Sequence, residues 1–337
     1  MPLSEELLRP IPGDNPSGVN LYPTPLFDEI REARRQDDTA PQGLWEHDIK
    51  TADYDAVIRL TTNALTNQSK DLFLASWLAE ALLNKQSFAG LNDGLNLMRG
   101  LLEQFWDTLY PEVEDGDAEF RASPLEWFGN YYDPAKGSSP AAAVKTVPIA
   151  TDKLNFLRYM ESRKIPTKDE AKASDVKKVE REKALKEGKL EPELADASVE
   201  QSPKAFYVQL NKEIATALKN LKALEDLANE KFGDVAPGFR SLRAGITDVA
   251  TTVGIILKRK RELEPDTEAE IEAAEPGEVV EAAEEGGSSG LGQIRNRDDA
   301  VAHVLAGVEF LRTQEPQNPA GYLVARGLRW ENLGLQE

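Results

Sequence analysis

The sequence predicts an all-α protein made of several helical pieces joined by tethers. Apolar residues recur at three-and-four spacing with almost no alternating β-branched runs, proline and glycine clusters punctuate the chain between them, and one long stretch is purely acidic. At 337 residues the chain has room for two or three domains, each with a core of its own. The expected order is a helical N-terminal domain over 1–133, a linker and charged mobile segment over 134–202, and a middle helical hairpin over 203–261. A disordered acidic Gly/Ser tether over 262–293 and a short C-terminal helical hairpin over 294–337 complete it.

In the first domain, Leu26, Phe27, Ile30 and Ala33 mark one helix, and Tyr54, Val57, Ile58, Thr61 and Leu65 a second. Leu74, Trp77, Leu78, Ala81 and Leu82 mark a third, expected to start after Ser69 as N-cap with Asp71 in its first turn. Leu91, Leu95, Met98, Leu102, Phe105 and Leu109 mark a fourth that Pro111 ends, and Arg121 to Tyr132 a short fifth. The loop from Asp14 to Thr24, with its prolines and glycines, is expected to wrap against these helices.

Residues 163–200 are rich in Lys, Glu and Asp, so any helix there is solvated or mobile. The clearest stripe follows at Tyr207, Leu210, Ile214, Ala217, Leu221, Leu224 and Ala228. A second lies at Phe239, Leu242, Ile246, Val249, Val253 and Ile256, across a turn at Gly233 to Gly238. Two stripes joined by a short turn specify an antiparallel hairpin. Two helices are a thin core, so either residues 151–161 or another subunit must cover them.

Glu262 to Glu285 holds eleven acidic residues and no basic one, too polar a stretch to offset its ordering entropy. Beyond it, Asn296 and Asp299 cap a helix carrying Val301, Val304, Leu305, Val308 and Leu311, and Pro319 opens a second through Tyr322, Leu323, Leu328 and Trp330. A piece this small packs on another domain, pairs with another subunit, or is the stub of a longer region.

The composition excludes several chemistries. With no cysteine there is no disulfide, thiolate metal site or thiol nucleophile. A net charge of −19 repels nucleic acid and anionic lipid, and neither a signal peptide nor an apolar run of spanning length is present, so a cytoplasmic protein without membrane insertion is expected. The two histidines, His47 and His303, lie far apart without a second ligand at metal spacing. Asp115, Asp117 and Glu119 lack the rest of a calcium loop and read as a capped acidic turn with Arg121 nearby to balance its charge. Gly13 to Gly18 has no Gly-Lys-Ser/Thr ending, and there is no Gly-x-Ser-x-Gly elbow. No catalytic, cofactor or metal residue is therefore assigned, and the chain reads as a non-enzyme. Trp45, Arg31, Arg34, Arg35, Lys70 and Asp71 are the candidates for partner binding, weighed against packing, capping and solvated-face roles. The rival readings are a metal-dependent hydrolase using the acids around Asp115, and a generic helical protein-binding scaffold.

One ordered series of residues carries more information. It comprises Pro12, Gly13, Asn15, Pro16 and Gly18, then Leu26-Phe27-Asp28-Glu29-Ile30, Trp77 and Glu80, Trp106, and Asp115, Asp117 and Arg121. It resembles the ImpA-type N-terminal domain of the TssA proteins of bacterial type VI secretion, most clearly over residues 8–130. Phe232, Gly233 and Pro237 are similar to the family's middle region, and Pro316 and Pro319 to the entry into its C-terminal part. These motif residues are expected to be structural. The resemblance implies a homo-oligomeric, non-catalytic assembly component that engages the baseplate and membrane complex and primes or caps growth of the sheath around its inner tube. Few residues follow Pro319 where the family continues into a ring-building domain, which leaves a short variant, a regulatory paralogue or a truncated chain as readings.

Overall fold

A computed structural model describes residues 6–22, 24–36, 50–113, 115–130 and 139–266. Among them all regular structure is helical, as the spacing of apolar residues predicts. The calls on Trp45, His47, Pro316, Pro319 and the C-terminal hairpin lie outside the described residues, as does most of the acidic stretch.

Helix α1 spans Pro25–Arg34, with proline in its first turn and Phe27 and Ile30 turned inward. Helix α2 spans Tyr54–Asn67, capped by the Asp53 side chain on the Ala56 amide. Helix α3, Leu72–Phe105, contains both the third and the fourth expected helices. It breaks at Ser87, where φ is 59° and ψ −140°. The halves on either side fold back on each other as an antiparallel pair. Ser76 Oγ meets Met98 Sδ at 3.6 Å, and a Cβ on Gly94 would lie 2.4 Å from the Ala79 Cβ. Small residues at this crossing let the two backbones approach closely. The cap of α3 is Asp71 rather than Ser69: one carboxylate oxygen of Asp71 accepts the Phe73 and Leu74 amides at 2.7 and 3.3 Å. A carboxylate two residues nearer the helix reaches the free N–H groups that a hydroxyl at position 69 cannot.

Helix α4 covers Glu119–Asn130. Residues 139–202 are more regular than a linker: helix α5 (Pro140–Ala143), a 3-10 turn (Val144–Thr146), α6 (Phe156–Ser162), α7 (Lys168–Ala173), α8 (Asp175–Lys186) and α9 (Pro192–Gln201). The helices α7 and α8 do form in the charged stretch, and their surfaces are solvated as its composition implies. They pack chiefly on each other and are fastened at their base by Arg181. This side chain is buried and donates to the Pro166 carbonyl at 2.7 Å, to Glu191 at 2.7 Å and to Glu193 at 2.9 Å.

The hairpin read from the two late stripes is α10 (Lys204–Phe232) and α11 (Arg240–Leu263). Every residue of the first stripe, Tyr207 to Ala228, is buried, and so is every residue of the second, Phe239 to Ile256. Their cover is α3, which α10 lines along its length, with α4 and α5 against α11. Asn92 ties α3 to α10 by donating to the Glu213 carbonyl and accepting from Asn220, both at 3.0 Å. Phe156 and Tyr159 of α6 join the same core. The hairpin thus completes a core shared with the first helices, which is why two stripes suffice.

Gly94 and Gly254 separate close packing from intrinsic helix preference. Gly94→Val forces a side chain into the Ala79 backbone and is expected to lower stability by about 1–3 kcal/mol or more. Gly254 of α11 has open space at its Cβ position, so Gly254→Ala should raise stability by roughly 0.5–1 kcal/mol. Urea unfolding followed by circular dichroism checks both signs.

Candidate interaction surface

The segment Ser69-Lys70-Asp71 lies wholly buried between α2 and α3 and holds the N-terminal loop against them. Lys70 donates through Nζ to the Leu7 and Leu65 carbonyls at 2.7 and 2.6 Å, and through its amide to the Ser17 carbonyl at 2.8 Å. Burial pushes its ammonium down to about 8. Gly18, at φ +74°, sits so close that a Cβ there would lie 2.1 Å from the Gln68 carbonyl oxygen. Asn15 receives the Ser17 amide on Oδ1 and donates to the Tyr110 hydroxyl at 3.1 Å, and that hydroxyl donates to the Gly18 carbonyl at 3.2 Å. The Pro12-Gly13-Asn15-Pro16-Gly18 motif is thereby a turn locked onto the start of α3. Lys70 and Asp71 expose nothing to a partner, and the docking role expected of them gives way to these internal bonds.

The Asp71 carboxyl is raised to about 7 by burial, against the pull of the two amides that it caps. Its second oxygen has no hydrogen-bond partner among the described residues and is the natural seat of a proton.

The three arginines of α1 diverge. Arg31 is exposed and pairs with Asp28 at 3.3 Å, and Arg35 pairs with Glu32 at 3.2 Å. Arg34 turns inward instead, donating to the buried Glu80 at 2.6 Å while its guanidinium lies over Trp77 at 5.1 Å and Trp127 at 4.6 Å. This corrects its expected place on a solvated face: Glu80 lies in the core, its carboxyl raised by burial and lowered in part by Arg34, and a cation must answer it there.

From this pair a ladder of rings climbs to the surface. Trp77 meets Phe27 at 5.1 Å and Phe73 at 5.9 Å; Phe73 meets Tyr22 and Phe120, each at 5.7 Å; and Tyr22 meets Phe120 edge-on at 5.3 Å. Phe27 and Trp77 are buried and Phe73 is half-buried, but Tyr22 is 40% exposed and Phe120 49%. Arg31 lies over the outer face of Tyr22 at 5.7 Å. The result is an apolar rim with one cation, rigid because its rings rest on the core. Such rims suit an aromatic or aliphatic anchor of a protein partner. Sequence reasoning missed Tyr22 and Phe120, since they are 98 positions apart and only the fold joins them.

A second cluster of motif residues lies where α3 ends. Arg121 is buried and donates to the carbonyls of Pro111, Trp106 and Leu109 at 2.5, 2.6 and 2.6 Å, its guanidinium 5.0 Å from the Trp106 ring. It therefore secures the chain reversal after α3. The charges acting on it are those of Glu112 and Asp107, rather than the Asp115–Asp117 turn that it was expected to balance. Asp117 accepts the Glu119 amide at 2.8 Å and so caps the start of α4. Phe232 packs edge-on against Trp106 at 4.9 Å, Gly233 ends α10 at φ +56°, and the buried Pro237 leads into Gly238, whose amide donates to Glu126. A cavity of about 540 Å³ opens beside Trp106, Arg121 and Lys231. Among the described residues no group of three or more His, Asp or Glu side chains could hold a metal, and no helix is long and apolar enough to cross a membrane.

Residues 8–130 match the family model of ImpA, N-terminal, type VI secretion system. Over 122 residues the chain is 30% identical to type VI secretion system component TssA1 of Pseudomonas aeruginosa, a match that spans 35% of this chain and 35% of that protein. Among solved structures it is similar to the N-terminal domain, including the conserved ImpA_N region, of the TssA component from Burkholderia cenocepacia. That likeness has a TM-score of 0.65 at 29% identity and covers 77% of this chain and 96% of the other.

Two outcomes follow from the buried charges. Arg34→Ala takes from the buried Glu80 the cation that holds its raised carboxyl down, and is expected to cost about 3–5 kcal/mol near neutral pH, less in acid where Glu80 is already protonated. The folded form binds the Asp71 proton more tightly than the unfolded chain does. Stability is therefore expected to fall as pH rises from about 4 through 7, and Asp71→Asn, which keeps a capping oxygen, should flatten that slope. Denaturant titrations across this pH range read both.

Proposed function

We propose that this chain, TssA-like in sequence and fold, is a non-catalytic assembly component of the bacterial type VI secretion system. In this reading it works in the cytoplasm as a homo-oligomer, engages the baseplate and membrane complex, and primes or caps growth of the sheath and inner tube. The observation that favours it is the rim of Tyr22 and Phe120 with Arg31, an exposed aromatic surface on the ImpA-type domain. A catalytic role draws no comparable support, because the polar residues Asn15, Lys70, Glu80, Asp117 and Arg121 each spend hydrogen bonds inside the fold. Asp115→Ala with Asp117→Ala should accordingly leave secretion intact apart from a modest loss of stability at the α4 cap.

The test is a pull-down with the full chain, tagged, from a native cell expressing the secretion genes. Tyr22→Ala, Phe120→Ala and Arg31→Glu are combined in one variant whose melting is compared with that of the parent. Loss of sheath, tube or baseplate components from the variant, with melting within a few degrees of the parent, supports docking through the rim. Retention of all of them places the contact elsewhere, and a parent that retrieves none overturns the assembly role.

A further inference from the structure

Helix α3 turns back on itself at a single residue. Within Leu72–Phe105 only Ser87 leaves helical torsions, and its φ of 59° with ψ −140° lies in a region that is essentially reserved for glycine. The reversal is tight: a Cβ on Gly90 would lie 2.3 Å from the Leu82 carbonyl oxygen. Nothing in the local sequence calls for it. Asn84, Lys85, Gln86, Ser87, Phe88 and Ala89 include neither glycine nor proline, the residues that chain reversals ordinarily use. Leucine and alanine are frequent on both sides, so the sequence here prefers to run on as helix, and the fold bends it against backbone strain.

Packing between the parts of the chain before and after Ser87 holds the bend closed. Ser76 Oγ meets Met98 Sδ at 3.6 Å, and Ser17 Oγ meets Thr108 Oγ1 at 2.7 Å. The Tyr110 amide donates to the Lys70 carbonyl at 3.0 Å, and the Arg34 guanidinium lies 4.6 Å from the centre of the Trp127 ring. Each of these contacts joins a residue ahead of Ser87 to one beyond it, and none requires that both belong to the same copy of the chain. With Ser87 in helical torsions, α3 becomes one rod of 34 residues, about 51 Å long, and the part of the chain ahead of Ser87 leaves the surface that it covers. A second copy opened in the same way offers the identical surface. Two chains that exchange these parts satisfy every one of the contacts, with the strain removed from both hinges.

We propose that the chain forms a two-fold dimer by exchanging the part ahead of Ser87, with Ser87 as the hinge and each α3 continuous through it. Release of backbone strain favours the dimer, and the translational freedom of separate chains favours the monomer, so the balance moves with protein concentration. The two forms interconvert slowly, because passing between them breaks the whole set of contacts across the hinge. In the dimer each apolar rim is composite: Tyr22 of one copy packs on Phe120 of the second. Two rims are then held on one body, which gives a bivalent grip on a partner that repeats its binding sites. The exchange itself does not depend on the secretion role.

The chain has no cysteine, so Ser17→Cys with Thr108→Cys in the full-length protein sets two thiols where two hydroxyls now meet, within reach of a disulfide. The protein is refolded from urea at about 10 µM and at about 500 µM, oxidised after refolding, and separated by size exclusion. A dimer is expected at the higher concentration, and its bridges should link two chains, so that it stays a dimer on a denaturing gel without reductant. Ser87→Gly relieves the strain of the bent form and weakens the continuous helix, and should lower the dimer-to-monomer ratio at least about tenfold. Ser87→Ala leaves the strain and strengthens the helix, and should raise the ratio roughly three- to fivefold. Both hinge variants are also measured without the cysteines, which keeps this reading independent of the bridge, and circular dichroism confirms that each keeps its helix content. A dimer whose bridges close within single chains overturns the proposal, since the copies would then lie side by side. A ratio unmoved by Ser87→Gly overturns it too, as does the absence of dimer from Ser87→Ala at the higher concentration.

Discussion

The fold depends on one costly placement, a lysine buried without a counter-ion among the described residues. Lys70 spends its ammonium on two backbone carbonyls, those of Leu7 and Leu65, and its amide on a third, that of Ser17. Removing a cation from water is expensive, and hydrogen bonds to carbonyl dipoles recover only part of that cost. The return is geometric. The end of α2, the N-terminal loop and the start of α3 meet at one residue, and Tyr110 adds a fourth strand of chain through its amide on the Lys70 carbonyl. Once these are fixed, the hydroxyl of Tyr110 can organise the Asn15 and Gly18 turn. Arg121 repeats the device at the other end of α3, again with a guanidinium directed at carbonyls instead of carboxylates. In both places a long cationic side chain does for irregular backbone what a ladder of amides does for a helix.

This use of cations explains what could and could not be read from the chain. The stripes of α10 and α11 were legible because apolar periodicity reports directly on burial, and each stripe residue is indeed inside. The two halves of α3 were legible for the same reason, and the closeness of their crossing at Ala79 and Gly94 is consistent with the small residues there. Arg34 was not, because a triplet of arginines looks like a solvated face until the position of Glu80 is known. Nor was the rim: Tyr22 sits in a loop and Phe120 at the first turn of α4, and nothing local announces that they touch. The cap of α3 lies at Asp71 rather than Ser69, because two good capping residues stand two positions apart and only backbone geometry chooses between them.

The same division bears on recognition. Most polar motif residues of the first domain are consumed by the fold, so they preserve a shape and present little chemistry. The aromatic side chains left exposed are ones that the core positions without burying. At the rim, the ladder from Trp77 outward transmits the rigidity of α3 to Tyr22 and Phe120, which lose little freedom when a partner covers them. At the charged helices the logic is reversed. Among the described residues Arg181 and Lys168 fasten helices α7 and α8 to Glu191 and Glu193, and their outer surface is charged, the kind that makes weak and screened contacts. A rigid aromatic surface suits a contact that must be specific, and a charged surface suits one that must be exchanged. This chain carries the two on separate elements, the ring ladder against α3 and the charged surface on α7 and α8, so neither constrains the geometry of the other.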